Sequence, residues 1–108
     1  MYEYKATVEN VVDGDTIDVS IDLGFKTATR QRMRLARVDT PERGEAGYGA
    51  ARDFVRDATT GKVVTIKTEK VSKWGYYLAN VTLPDGRDLS GALLAANLAK
   101  PYDGGHKE

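Results

Sequence analysis

The sequence has no cysteine, which excludes a disulfide framework and thiolate zinc sites. Its single histidine, His106, stands near the end of the chain. That leaves too few imidazoles for a His-rich zinc site and none placed for a serine-type triad. Any metal must therefore be held by oxygen ligands, which favours calcium, magnesium or manganese. Long apolar runs are also missing, and no segment approaches the length of a bilayer span. Met1-Tyr2-Glu3-Tyr4-Lys5 has no basic region followed by an apolar stretch. The default expectation is a soluble, cytoplasmic monomer without a membrane partner; a secreted protein whose signal peptide had been removed would read the same way. Charge of one sign is not in excess either. Lysine plus arginine and aspartate plus glutamate each number 16, for a formal net charge of zero. No global field then draws nucleic acid to the chain, and only a local basic groove could do so.

What is present is a chain of 108 residues, 41% hydrophobic and 30% charged, which fits one folded domain over residues 1–108. Tyr4 to Val12 is rich in β-branched and aromatic residues and reads as a strand. Asp13-Gly14-Asp15 interrupts it with turn chemistry. From Thr16 to Leu23 the residues Ile17, Val19, Ile21 and Leu23 alternate with Asp18, Ser20 and Asp22, the pattern of a half-buried strand. A third strand is expected over Thr27 to Val38, with Met33 and Leu35 on one face and Arg30, Arg32 and Arg34 on the other. Tyr48 to Ala58 spaces Ala51, Phe54, Val55 and Ala58 as an amphipathic helix. Lys62–Lys70 and Tyr76–Leu83 read as strands, and Leu89–Ala96 as a short helix stopped at Asn97. The tail from about residue 101 is expected to fray. Three strands, a helix, two strands and a helix suggest a mainly β fold, a five-stranded Greek-key barrel of the OB-fold type.

Two acidic motifs stand out. The first is Val12-Asp13-Gly14-Asp15-Thr16, where the second strand begins. The second ends the third strand and reads R-L-A-R-V-D-T-P-E, from Arg34 to Glu42. In a meander these two places lie at the same end of the sheet, so Asp15 and Asp39 can converge on one cation. Each motif alone reads as ordinary turn chemistry. Together they bring carboxylates to one place, where they repel unless a cation or an arginine such as Arg34 neutralises them.

The ordered pair V-D-G-D-T and R-L-x-R-V-D-T-P-E resembles the staphylococcal-nuclease-like (thermonuclease) family. Tyr48-Gly49, Leu78-Ala79 and the stretch from Leu93 to Lys100 continue the resemblance, which covers about Ala6 to Lys100. It implies an OB-fold barrel that cleaves DNA and RNA with calcium, leaving 3′-phosphate ends. On this resemblance Asp15 and Asp39 match the metal-binding aspartates, and Thr40 matches a residue that offers its backbone carbonyl to the ion. Glu42 matches the glutamate that orders or deprotonates the attacking water, and Arg34 matches one of two arginines that hold the scissile phosphate.

The pattern breaks at the segment before the last strand. The family usually has Asp-Lys-Tyr-Gly-Arg there, and this chain has Ser72-Lys73-Trp74-Gly75-Tyr76. Tyr76 thus stands where the second phosphate-clamping arginine is expected. A tyrosine can donate a hydrogen bond but cannot neutralise charge, and losing a charged transition-state donor costs on the order of 10²–10³ in rate. Lys73 is a nearby cation, Trp74 could stack on a base or cover the barrel edge, and Tyr102 is another candidate for a nucleotide pocket. Arg30, Arg32, Arg37, Arg43 and Arg52 could form a phosphate-tracking surface, although a strand face with alternating arginines is more often a plain solvated face. The best-known members of that family also carry a further helix. The leading expectation is a calcium-dependent endonuclease, slowed by Tyr76. The alternative is a catalytically weak or inactive module that binds nucleic acid or a protein partner.

Overall fold

The computed structural model describes residues 3–71 and 75–102. Strand β1 (Glu3–Asp13) is followed by β2 (Thr16–Gly24), β3 (Thr27–Leu35) and β4 (Val38–Asp39). Helix α1 (Tyr48–Thr59), β5 (Val63–Val71), β6 (Tyr77–Thr82), α2 (Leu89–Ala95) and β7 (Lys100–Pro101) complete the order. Five strands close a barrel in the order β1-β2-β3-β6-β5, the architecture expected from the pattern of elements. Closure requires β1 to pair with both β2 and β5. Register shifts between Val8 and Asn10 and between Val11 and Asp13 add the local twist that lets one strand serve two neighbours. The seam is the parallel pairing of β3 with β6, at Met33–Tyr77, Arg34–Leu78 and Leu35–Ala79.

The core follows the side-chain alternation of the strands. Ile17, Val19 and Ile21 point inward with Met33, Leu35, Val64, Ile66, Ala79 and Val81, all buried. Helix α1 closes one end through Ala51 and Val55, with Phe54 and Ala58 half-buried against the core. Leu89 and Leu93 of α2 are fully buried, while Leu94 is only partly so. Asn97 adopts the left-handed conformation (φ 62°) expected of a helix stop.

One expected boundary is corrected. The third strand does not run to Val38 but breaks after Leu35, where Arg37 takes a left-handed φ of 73°. The chain then restarts as β4, which pairs with β7 through Val38–Pro101 and Asp39–Lys100. The Arg34 guanidinium holds the break, with Nη1 donating to the carbonyls of Leu35 (3.3 Å) and Val38 (3.0 Å). Lys100 and Pro101 are thus built into a sheet, and the Tyr102 N–H donates to the Arg37 carbonyl at 2.9 Å. Residues 103–108, His106 among them, lie outside the described residues. No helix among the described residues is long and apolar enough to cross a membrane.

Candidate active site

The antiparallel register of β2 on β3 sets Thr16 opposite Arg34. This places Asp15, just before β2, beside the end of β3, and the Leu35 N–H donates to the Asp15 carbonyl at 2.8 Å. Two turns that are far apart in sequence therefore meet at one end of the barrel. A cleft of about 470 Å³ opens there, lined by Asp13, Asp15, Arg32, Arg34, Asp39, Thr40, Glu42, Arg43 and Tyr76, with Val12, Thr16 and Pro41.

Asp15 is buried and held from three sides. Its Oδ1 accepts from the Thr16 hydroxyl (3.2 Å) and its Oδ2 from the Thr40 N–H (3.1 Å). Arg34 Nη1 lies 3.4 Å from the same Oδ2, and Nη2 lies 3.3 Å from Asp39 Oδ1. One guanidinium thus bridges both aspartates and offsets the repulsion that their approach creates. The Arg34 side chain is 7% exposed and Asp39 46%, so the pair grades from the protein interior to the mouth of the cleft. Glu42 is exposed on the loop beyond Thr40, its N–H donating to Glu45 Oε1 at 2.7 Å.

These donors are hard oxygens, but among the described residues no three Asp, Glu, His or Cys side chains converge as a metal cage. That donor set fits a calcium or magnesium ion that keeps several waters, and does not fit zinc. Thr40 Oγ1 is buried without a hydrogen-bond partner among the described residues, which leaves this segment with unspent polar capacity.

The structure brings Asp15, Arg34, Asp39, Thr40, Glu42 and Tyr76 to the one cleft. Tyr102 is not among the residues lining the cleft, but its ring centroid sits 5.5 Å from the guanidinium carbon of Arg34, which does line it. Lys73 and Trp74 fall outside the described residues. Three further residues join the site: Tyr48, which was not read as part of it, and Arg43 and Arg32, which were named only among the arginines of a candidate phosphate-tracking surface. Tyr48 donates to Asp13 Oδ1 at 2.7 Å and tethers the first acidic turn to α1. Arg43 lines the cleft and lies 5.8 Å from the Tyr48 ring. Arg32, grouped in sequence with the solvated arginines, also lines the cleft. Its side chain grips Asp18, directly opposite on β2, through Nε–Oδ1 at 2.7 Å and Nη2–Oδ2 at 3.2 Å. The hydrogen bond from Arg32 holds the Asp18 carboxyl below its ordinary value of 3.8, against the opposing effect of burial. Asp18, and then a hydrogen bond with Tyr76, stabilise the charged form of Arg32 still further. Only the shared side parity of Arg32 and Arg34 on β3 could have signalled this from sequence.

The other arginines divide clearly. Arg30 is paired with Glu9 at 2.9 Å and is largely exposed, and Arg37 bonds Asn80 and Asp88. Neither lines the cleft.

Comparison with known proteins agrees with this geometry. The family model described as staphylococcal nuclease homologue matches residues 32–107. A protein of Escherichia coli O157:H7 named uncharacterized endonuclease is 31% identical over 97 residues, covering 89% of this chain and 60% of that protein. A micrococcal nuclease of Shigella flexneri is 34% identical over 84 residues, covering 76% of this chain and 44% of that protein. Protein ParB of Escherichia coli is 26% identical over 108 residues, covering 93% of this chain and 58% of that protein. The chain thus spans about half to three-fifths of the relatives it matches. The match takes in the second acidic motif and most of the chain, and the chain belongs to the staphylococcal nuclease homologue family.

Proposed function

We propose that this chain is an endonuclease that hydrolyses phosphodiester bonds of DNA or RNA with calcium as its metal. The observation that carries this reading is a single cleft holding Asp15, Asp39, Arg34 and Glu42, and the nuclease names of two relatives agree with it. Asp15, Asp39 and the Thr40 carbonyl would hold the ion, which polarises a phosphate oxygen and makes a bound water easier to ionise. Glu42 takes a proton from the attacking water, a contribution typically worth ~10²–10⁴-fold. Water oxygen adds to phosphorus, one P–O ester bond breaks, and the departing oxygen leaves as an alcohol after gaining a proton from solvent. Arg34 offsets charge on the non-bridging oxygens, with a planar fork suited to phosphate. On the family resemblance, Lys73 and Trp74 are candidates for nucleic-acid contacts.

Tyr76, standing in the cleft where a second arginine is expected, favours a second reading. On that reading the chain is a weak or inactive module that binds nucleic acid or a protein. Digestion of single-stranded DNA separates the two. Calcium-dependent cleavage is expected, abolished by EDTA and reduced by at least about 100-fold in Glu42→Ala. Cleavage that survives Glu42→Ala would sink this mechanism. Binding of the oligonucleotide without cleavage at high protein concentration would establish the module.

A further inference from the structure

We propose that Arg32 supplies the second guanidinium of the phosphate clamp, with Asp18 and Tyr76 as its positioning residues; this rests on the nuclease reading above. Arg32 and Arg34 are two residues apart on β3, so their side chains leave the same face about 7 Å apart. Both line the cleft that carries Asp15, Asp39 and Glu42. The two differ in availability. Arg34 is 7% exposed and is shared among Asp15, Asp39 and the Leu35 and Val38 carbonyls. Arg32 is 43% exposed; its grip on Asp18 uses Nε and one Nη2 hydrogen, and its hydrogen bond with Tyr76 uses one more. A guanidinium has five N–H donors, so donors of Arg32 remain for a phosphate after Asp18 and Tyr76 have fixed its plane.

Position 76 explains why the cation can stand there. The parallel register sets Tyr77 beside Met33, which puts Tyr76 alongside Arg32. The Arg32 guanidinium carbon lies 6.0 Å from the Tyr76 ring centroid, within the range of a cation–π contact. An arginine at 76 would face Arg32 as a like charge at this separation, whereas a tyrosine ring supports it. The second cation of the clamp then stands on β3, beside position 76 rather than at it. During hydrolysis Arg32 donates to a phosphate oxygen as its negative charge grows. It makes and breaks no covalent bond.

The test is the steady-state cleavage of single-stranded DNA in calcium by the wild type, Arg32→Gln, Arg30→Gln, Asp18→Asn, Tyr76→Arg and the pairwise combinations. Arg32→Gln is expected to lower kcat by about 100-fold, with KM changing far less. Arg30→Gln, the same charge change on the same strand face but outside the cleft, is expected to stay within about threefold. Asp18→Asn should lower kcat by a smaller factor and have no effect once Arg32 is already Gln, because it acts only through Arg32. Tyr76→Arg should raise the rate more in Arg32→Gln than in the wild type, since it restores a charge there and adds a repulsion otherwise. If Arg32→Gln impairs folding, as read from its thermal midpoint, Arg32→Lys replaces it. That variant keeps the charge, loses the fork and should lose about tenfold. A wild type that cleaves, needs Glu42 and tolerates Arg32→Gln within about threefold would overturn this inference and leave the nuclease reading standing. A wild type without calcium-dependent cleavage would overturn both.

Discussion

Gly14 sets how closely the first acidic turn can approach the rest of the site. A Cβ there would lie 2.9 Å from the Ala51 Cβ and 3.1 Å from Thr40 Oγ1 and Cγ2. Ala51 is fully buried on α1 and Thr40 is nearly so, leaving no flexible tip that could swing aside. Gly14 is needed for close approach, and its backbone conformation makes no demand of its own. Gly14→Ala is expected to destabilise the fold by about 1–3 kcal/mol, read as a lower urea midpoint. The same shift would carry Asp15 away from the Thr40 N–H that it accepts at 3.1 Å. Cleavage should then fall even at temperatures where the variant remains folded. An unchanged midpoint would mean that α1 yields at Ala51. In sequence, Asp13-Gly14-Asp15 shows turn chemistry and two carboxylates, but the contact that makes the glycine necessary comes from residues 26 and 37 positions away.

At the scale of elements, the hairpin joining β2 to β3 runs against the usual turn chemistry. Gly24 pairs with Thr27, and the two residues between them, Phe25 and Lys26, have φ of 55° and 62°. Two consecutive left-handed residues make the turn that Asn-Gly serves best, and neither a phenylalanine nor a lysine adopts it cheaply. The Phe25 side chain is fully exposed, so replacing it sacrifices no packing. Phe25→Asn combined with Lys26→Gly is expected to stabilise the protein by about 1–2 kcal/mol, measured by urea denaturation. A loss of stability would show that Phe25 makes a contact this conformation lacks.

The same hairpin shows what sequence can and cannot tell. The two-residue periodicity of Ile17, Val19, Ile21 and Leu23 against Asp18, Ser20 and Asp22 sets the inward face of β2; Ile17, Val19 and Ile21 are buried as read, but Leu23, next to the hairpin turn, is 46% exposed. The shared end of β2 and β3 follows from the hairpin alone, which is why Asp15, Arg34 and Asp39 could be brought together in advance. Strands of two residues carry no period. Hence β4 and β7 were invisible, and so was the break at Arg37 that turns Asp39 toward Arg34. Arg32 was legible as the neighbour of Arg34 on one face. Its place beside Tyr76 depends on the β3–β6 seam, a pairing across more than 40 residues that no local pattern encodes.

Across the whole molecule, 16 basic residues balance 16 acidic ones. Attraction for a polyanion then comes from where the cations sit, and much of the surface charge is already paired: Arg30 with Glu9, Arg37 with Asp88, Lys67 with Glu3, Arg87 with Asp85. The cleft gathers Arg32, Arg34 and Arg43; Arg32 is paired with Asp18 and Arg34 is shared between two carboxylates, so what sets them apart is their place beside the acidic turns. A single strand held by these three arginines should show an affinity that falls with salt at a logarithmic slope of about −2. The measurement is oligonucleotide binding by Glu42→Ala in calcium across a range of potassium chloride concentrations. Arg32→Gln should make the slope shallower by about 0.7, whereas Arg30→Gln should leave it unchanged. A slope of −5 or steeper would place most phosphate contacts outside the cleft and make the paired surface arginines part of the binding face. A slope near −2 would confine recognition to a few phosphates around the scissile bond, where a neutral chain with one charged cleft can hold a strand without a basic surface.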